Sequence, residues 1–223
     1  MIAELFPQLP RRSLLLAGGA LATAGILSRA AWADASPVPA TSDPRLAERS
    51  IGKSDAPVMV IEFFSLTCPH CAAFARDTLP KVQSELVDPG KLKIVFWDFP
   101  LDKVALQASV IARALPADQY APFTEALLAS QARWAYARGV NTTEELWKTA
   151  ALAGMARATF DAAIADKSLQ DGILKLQDTA VKTYKVDSTP FFVFNGPGAK
   201  DLHESGEQTY DSFAAIVAKA AAA

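Results

Sequence analysis

The sequence predicts an α/β domain that opens β–α–β and carries a helical lobe inserted before its last strands. Three observations predict it. A continuous apolar run at 58–64 is followed by an amphipathic stretch at 72–86 and a second apolar run at 91–99. From 102 to 184 the apolar residues fall at helical spacing instead. Strand-like residues return only at 191–194. A chain of 223 residues, 51% of them apolar and 21% charged, can bury the core that such a domain needs. Its formal net charge of -2 comes without a basic stripe or an acidic block, which argues against a nucleic-acid partner.

Residues 1–33 read as a targeting segment and stand outside the fold. Arg11 and Arg12 precede an apolar, small-residue run at 14–27, and Ala31-Trp32-Ala33 supplies a cleavage site. Cleavage after Ala33 starts the mature chain at Asp34, and export places it in a bacterial periplasm. The run is short of the roughly 20 residues that span a bilayer; an uncleaved anchor is the alternative. The arginine pair and Ala17-Gly18-Gly19-Ala20 resemble a twin-arginine signal, with Pro10 where such signals usually carry Ser or Thr. The general export route is the other reading. No cysteine follows the run, as a lipoprotein anchor would require.

Residues 34–50 are rich in Ser, Pro and Ala and read as a flexible leader. Gly52 and Pro57 mark a turn. Val58–Phe64, apolar except for Glu62, suits a strand buried on both faces. The stretch 72–86 is the helix that follows, ended by Asp88-Pro89-Gly90. The run 91–99, with Leu92, Ile94, Val95 and Phe96, is the second strand, and the crossover between the two should be right-handed. These elements form the first part of the α/β unit, 51–101.

In the inserted lobe, 102–184, Val104, Ala108, Ile111 and Leu115 repeat at helical spacing. So do Leu169, Ile173, Leu176, Ala180 and Tyr184. Pro116, Pro122, Gly139 and Gly154 punctuate shorter helices between them, and Thr142-Thr143-Glu144-Glu145 is a helix start, giving about four or five helices. The second part of the unit, 185–223, holds a strand at Phe191-Phe192-Val193-Phe194, closed by Asn195-Gly196-Pro197-Gly198. An antiparallel partner is expected at 202–205 and a closing helix at 210–219. The terminal alanines, 220–223, should fray.

The chain's two cysteines, Cys68 and Cys71, stand at the junction of the first strand and its helix. In an oxidising compartment a Cys pair is usually a staple. A Cys-x-x-Cys loop is a poor one, because closing so short a loop removes little chain entropy. The pair therefore points to cycling between dithiol and disulfide. The thiolate is the attacking species, and a free Cys titrates near about 8.5. Cys68 would sit at the helix N-terminus with Pro69 at the first helical position. Backbone N–H groups and the helix dipole stabilise a thiolate there, and His70 adds a donor or a positive charge. A stabilised thiolate is also a good leaving group, so the disulfide would oxidise a client. Cys71, one turn on, should be more buried and act as the resolving thiol. A zinc site would need two further ligands, and His70 and His203 are the only histidines. Zinc and a purely structural disulfide are the competing readings.

Glu62 lies inside the apolar strand. A buried carboxyl has a raised pKa and can take a proton from Cys71 during exchange; the alternative is an end-of-strand Glu that reaches solvent. Thr189-Pro190 stands immediately before the apolar strand at 191–194. A cis bond is cheap at X-Pro, and here it would expose the Thr189 backbone beside the dithiol, where an extended client could pair with it.

Together, Glu62-Phe63-Phe64-Ser65, Cys68-Pro69-His70-Cys71, Thr189-Pro190 and the Phe192-to-Gly196 strand and turn resemble the DsbA family of thiol oxidases. The resemblance covers about residues 50–219. It implies a thioredoxin fold with an inserted helical lobe. Cys68 would be the nucleophile, Cys71 the resolving thiol, His70 the tuner of Cys68, and Glu62 the buried acid. Pro69, Thr189 and Pro190 would meet the client. No cofactor is implied beyond the redox-active Cys68–Cys71 disulfide. The implied partners are reduced or unfolded secreted proteins and a quinone-linked membrane reoxidase of the DsbB type, with the protein itself a monomer. Thr189 departs from the Val that many close DsbA relatives carry and is common in disulfide isomerases and in other DsbA-like branches. Isomerase or reductase action, or a non-oxidising client-binding chaperone, are the alternatives to the oxidase.

Overall fold

The computed structural model describes residues 36–222. The targeting segment read at 1–33, with its cleavage site, lies outside the described residues. Five strands, β1 (Arg49–Ile51), β2 (Val58–Phe64), β3 (Leu92–Asp98), β4 (Phe191–Asn195) and β5 (His203–Ser205), form one sheet in the order β1-β3-β2-β4-β5. β2 and β3 run parallel, from Val58 opposite Leu92 to Phe64 opposite Asp98. The remaining pairs are antiparallel. β2 lies at the centre with every residue buried, which is why it reads as an apolar run with Glu62 its one exception. Alternation sends Val58, Val60 and Phe64 into one core, and Met59, Ile61 and Phe63 into the other.

Nine α-helices surround the sheet among the described residues. They are α1 (Pro69–Asp77), α2 (Leu79–Val82), α3 (Lys103–Ala114), α4 (Tyr120–Ala129), α5 (Gln131–Trp134), α6 (Thr142–Leu152), α7 (Arg157–Ala165), α8 (Lys167–Tyr184) and α9 (Tyr210–Ala221). α1 and α9 pack on the face of Val60 and Phe64. The Phe74 ring lies 4.8 Å from that of Phe192 and 5.6 Å from that of Phe213, which seats α1 on the sheet. α8 covers the other face through the residues whose spacing predicted it, Leu169, Ile173, Leu176 and Ala180. Trp97 Nε1 donates to Leu176 O at 3.1 Å and ties α8 to β3.

Four sequence expectations are corrected. The stretch 34–50 is not a free leader along its length. Val38 and Leu46 are buried, Pro44–Leu46 forms a 3-10 turn, and β1 begins at Arg49, pairing with β3 as the edge of the sheet. Gly52 then turns the chain at φ +95, where a Cβ would stand 2.5 Å from Leu92 O. The single helix read over 72–86 starts at Pro69 and breaks at Thr78, because Pro80 has no N–H to give to the turn before it. A π turn, Gln83–Val87, follows α2. The stretch 102–184 holds six α-helices, α3 to α8, rather than four or five, since α4 and α5 are separated by a break at Ser130. Finally, Ala220 does not fray. It is fully buried, and its carbonyl accepts from Gly198 N at 3.0 Å.

The lobe is joined to the sheet by a buried ion pair. Arg113 Nε of α3 lies 2.6 Å from Asp98 Oδ2 at the end of β3, both side chains 1% exposed. Arg113 Nη1 also donates to Arg45 O and Ala47 O, so one guanidinium fastens β3, α3 and the segment before β1.

Candidate active site

The parallel pairing of β2 with β3 ends at Phe64, and the chain turns through Ser65-Leu66-Thr67 into α1. Cys68 is the N-cap of α1, with extended backbone angles, and Pro69 opens the helix. Cys68 N donates to Ser65 O and Ala72 N to Cys68 O, both at 3.1 Å. This is the strand, turn and helix end that the sequence predicts. The two cysteines are unbridged; Cys68 is 5% exposed and Cys71 fully buried.

Their protons are held very differently. The Cys71 thiol donates to the Cys68 sulfur, and once that sulfur is charged the Thr189 hydroxyl and the backbone N–H groups of Cys71 and His70 favour it too, which together outweighs burial. Cys68 is pulled down to about 5. Burial first, and then the adjacent Cys68, push Cys71 well above the ordinary thiol value. At neutral pH the pair holds one charge, on Cys68, and one proton, on Cys71.

Thr189-Pro190 comes back beside this pair. The bond is cis, and in the dithiol form Cys68 Sγ donates to Thr189 O at 3.2 Å. Pro190 O accepts from Gly206 N at 2.8 Å, which anchors the loop to the end of β5. Thr189 Oγ1 is buried and, among the described residues, has no partner while Cys68 keeps its proton. Once Cys68 is a thiolate and cannot donate, that hydroxyl is free to donate to it.

Glu62 is 3% exposed, which excludes the solvent-reaching alternative, and its Oε2 has no hydrogen-bond partner among the described residues. Burial, with a smaller push from Glu125, raises its carboxyl to about 8. Its charge in turn raises the Cys71 thiol. Glu62 is thus a proton-bearing group at neutral pH, coupled to the deeper cysteine.

His70 has a second partner besides Cys68. Its side chain is 68% exposed and turns to Glu207, with Nδ1 3.0 Å from Glu207 Oε2. The contact with Glu207 raises its pKa before any effect of Cys68. His70 gives Cys68 its backbone N–H, and its ring, when charged, attracts the Cys68 thiolate. Being second in the helix, its side chain leaves the helix end sideways while its amide points along the axis.

Four further residues gather here that sequence reasoning missed. Asp102 Oδ2 accepts from Thr67 Oγ1 at 2.7 Å, and Thr67 Oγ1 lies 3.2 Å from Ser65 Oγ. Gln131 Nε2 donates to Leu66 O and Cys68 O. The Tyr136 hydroxyl donates to Thr67 O. Glu207 holds the His70 ring. Asp102 was legible as a helix cap, and its Oδ1 does accept from Ala105 N. Nothing local marks the other three.

The comparisons agree with this geometry. A family model described as Thioredoxin matches residues 45–219. The crystal structure of Wolbachia pipientis alpha-DsbA1 superposes with a TM-score of 0.70 at 28% identity, covering 78% of this chain and 90% of that one. A Rickettsia bellii protein named as a protein-disulfide oxidoreductase is 26% identical over 147 residues, 66% of this chain and 56% of its own length. Disulfide bond formation protein D of Bacillus subtilis is 32% identical over 114 residues, 49% of this chain and 47% of its own length. The chain spans about half the length of these curated relatives. On the family match, the superposition and the shared sheet and helices, the chain belongs to the thioredoxin family, in its DsbA-like branch.

Proposed function

We propose that the protein is a thiol:disulfide oxidoreductase that donates the Cys68–Cys71 disulfide to reduced secreted proteins. The supporting observation is the opposite pull on the two thiols, Cys68 down to about 5 and Cys71 up, beside the Thr189 carbonyl. A client thiolate attacks Cys68 Sγ of the disulfide form. The Cys68–Cys71 bond breaks, and Cys71 leaves with the electron pair. Because Cys71 is a poor thiolate, it takes a proton as it leaves, and Glu62 is the acid coupled to it. A second client thiolate then attacks the client sulfur bound to Cys68. Cys68 departs as the stable thiolate, the client keeps a disulfide, and the protein keeps the two electrons as a dithiol.

On this reading the cysteine pair is the whole redox centre and no bound cofactor takes part. The client lies along Pro69, Thr189 and Pro190. A quinone-linked membrane protein of the DsbB type reoxidises the dithiol in the periplasm, and the protein works as a monomer. The test is stoichiometric. The purified disulfide form is mixed with a reduced, unfolded client, and thiols are counted on both proteins. Client thiols should disappear as Cys68 and Cys71 thiols appear. A client that binds but stays reduced would make the protein a chaperone. Faster reshuffling of a scrambled client under glutathione than oxidation of a reduced one would make it an isomerase.

A further inference from the structure

The loop that carries Cys68 is held from outside the sheet. Three consecutive main-chain carbonyls lead into α1, those of Leu66, Thr67 and Cys68. Each accepts a hydrogen bond from a side chain of the helical lobe. Gln131, the first residue of α5, places Nε2 2.9 Å from Leu66 O and 3.0 Å from Cys68 O. Tyr136, just past α5, donates its hydroxyl to Thr67 O. Gln131 is buried, whereas Tyr136 is 54% exposed although its hydroxyl is engaged.

These donors meet a physical need. A buried carbonyl without a donor is costly, and while Cys68 O already accepts from Ala72 N, Gln131 and Tyr136 supply donors to Leu66 O and Thr67 O. Each carbonyl oxygen also carries partial negative charge, and three of them beside a thiolate would oppose it. Donors from the lobe set positive dipole ends against those oxygens.

We propose that Gln131 and Tyr136 are positioning residues through which the helical lobe acts on the dithiol: they hold the Cys68 main chain against Thr189 and favour the charged, reduced sulfur over the disulfide. This rests on the reading of Cys68 as the redox nucleophile. The lobe then sets how strongly the pair oxidises, as well as covering the sheet. Movement of α5 would loosen all three carbonyls together.

The variants Gln131→Met and Tyr136→Phe remove the donors and keep most of the side-chain shape. Three quantities are read in the full chain: the thiolate titration of Cys68, the equilibrium of the pair with glutathione, and thermal unfolding of both redox forms. Each variant should raise the Cys68 titration and shift the glutathione equilibrium toward the disulfide form by about fivefold, the factor carried by one hydrogen bond of ordinary net strength. Unchanged titration and equilibrium, with both redox forms losing the same melting temperature, would overturn the proposal and leave the clamp merely structural. If Gln131→Met does not fold, Tyr136→Phe decides, since it deletes one oxygen from a half-exposed ring. The unaltered protein separates the two readings. If its Cys68 titrates like a free cysteine, both fall. If it titrates low and the variants match it, only the clamp falls.

Discussion

Cys68 Sγ lies 3.2 Å from the carbonyl oxygen of Thr189, a residue 121 positions away. The antiparallel pairing of β2 with β4 makes this contact. Phe63 stands opposite Phe191 and Glu62 opposite Phe192, so the chain leaving β2 and the chain entering β4 meet at one end of the sheet. Under the proposed function, a client strand that pairs with the Thr189 backbone arrives with its sulfur beside Cys68.

The charge on Cys68 should be visible in stability. Its value is depressed in the fold, to about 5. The stability it confers on the dithiol form is therefore full above the ordinary thiol range of about 8.5 and is lost as pH falls through about 5. The disulfide form has no such group. The melting temperature of the dithiol form should gain on that of the disulfide form between those two values, and alkylation should reach Cys68 well before Cys71. A flat difference, or equal labelling rates, would contradict the assignment.

Glu62 carries the opposite sign. Its value is raised in the fold, from 4.5 to about 8. The stability it confers is full below its unfolded value and is lost as pH rises through about 8, in both redox forms. Glu62→Gln should remove that loss. It should also slow the steps in which Cys71 gains or gives a proton by about a hundredfold, the lower end of general acid–base effects. Rapid-mixing measurement of mixed-disulfide resolution against pH checks this; an unchanged rate and profile would remove Glu62 from the chemistry.

The His70–Glu207 contact predicts a separation of roles. Glu207→Gln should return the His70 titration, followed by NMR, toward about 6.5. His70→Ala should raise the Cys68 titration only slightly, because the ring faces Glu207 while the backbone donors at the helix end remain. A Cys68 that returns to the ordinary thiol range in His70→Ala would put the imidazole in control.

Arg113→Met should cost about 3–5 kcal/mol, the range for a buried charge left without its partner. The affected charge is Asp98, which would lose the guanidinium 2.6 Å away. Urea unfolding measures this. Adding Asp98→Leu to Arg113→Met should recover much of the loss, and a double variant no better than the single one would contradict the account.

The sequence by itself determined what depends on neighbours along the chain. The run Val58–Phe64, apolar except for Glu62, called for a strand covered on both faces, and β2 is one. The spacing of Leu169, Ile173, Leu176 and Ala180 called for a helix with one buried face, and α8 is one. Pro69 beside Cys68 marked a helix start, and two cysteines at that spacing named the chemistry to look for. Only the tertiary structure decided which groups meet. β1 is three residues long, too short for alternation to show, and it exists because β3 offers it an edge. Glu207 holds the His70 ring, a partner that the sequence did not show. Gln131 and Tyr136 carry no local mark of their hold on the loop at 66–68. The physical reason is common to all of these. Periodicity records that a face is buried, not what buries it, and a side chain's hydrogen-bond partner across 60 or more residues is chosen by the packing of whole elements.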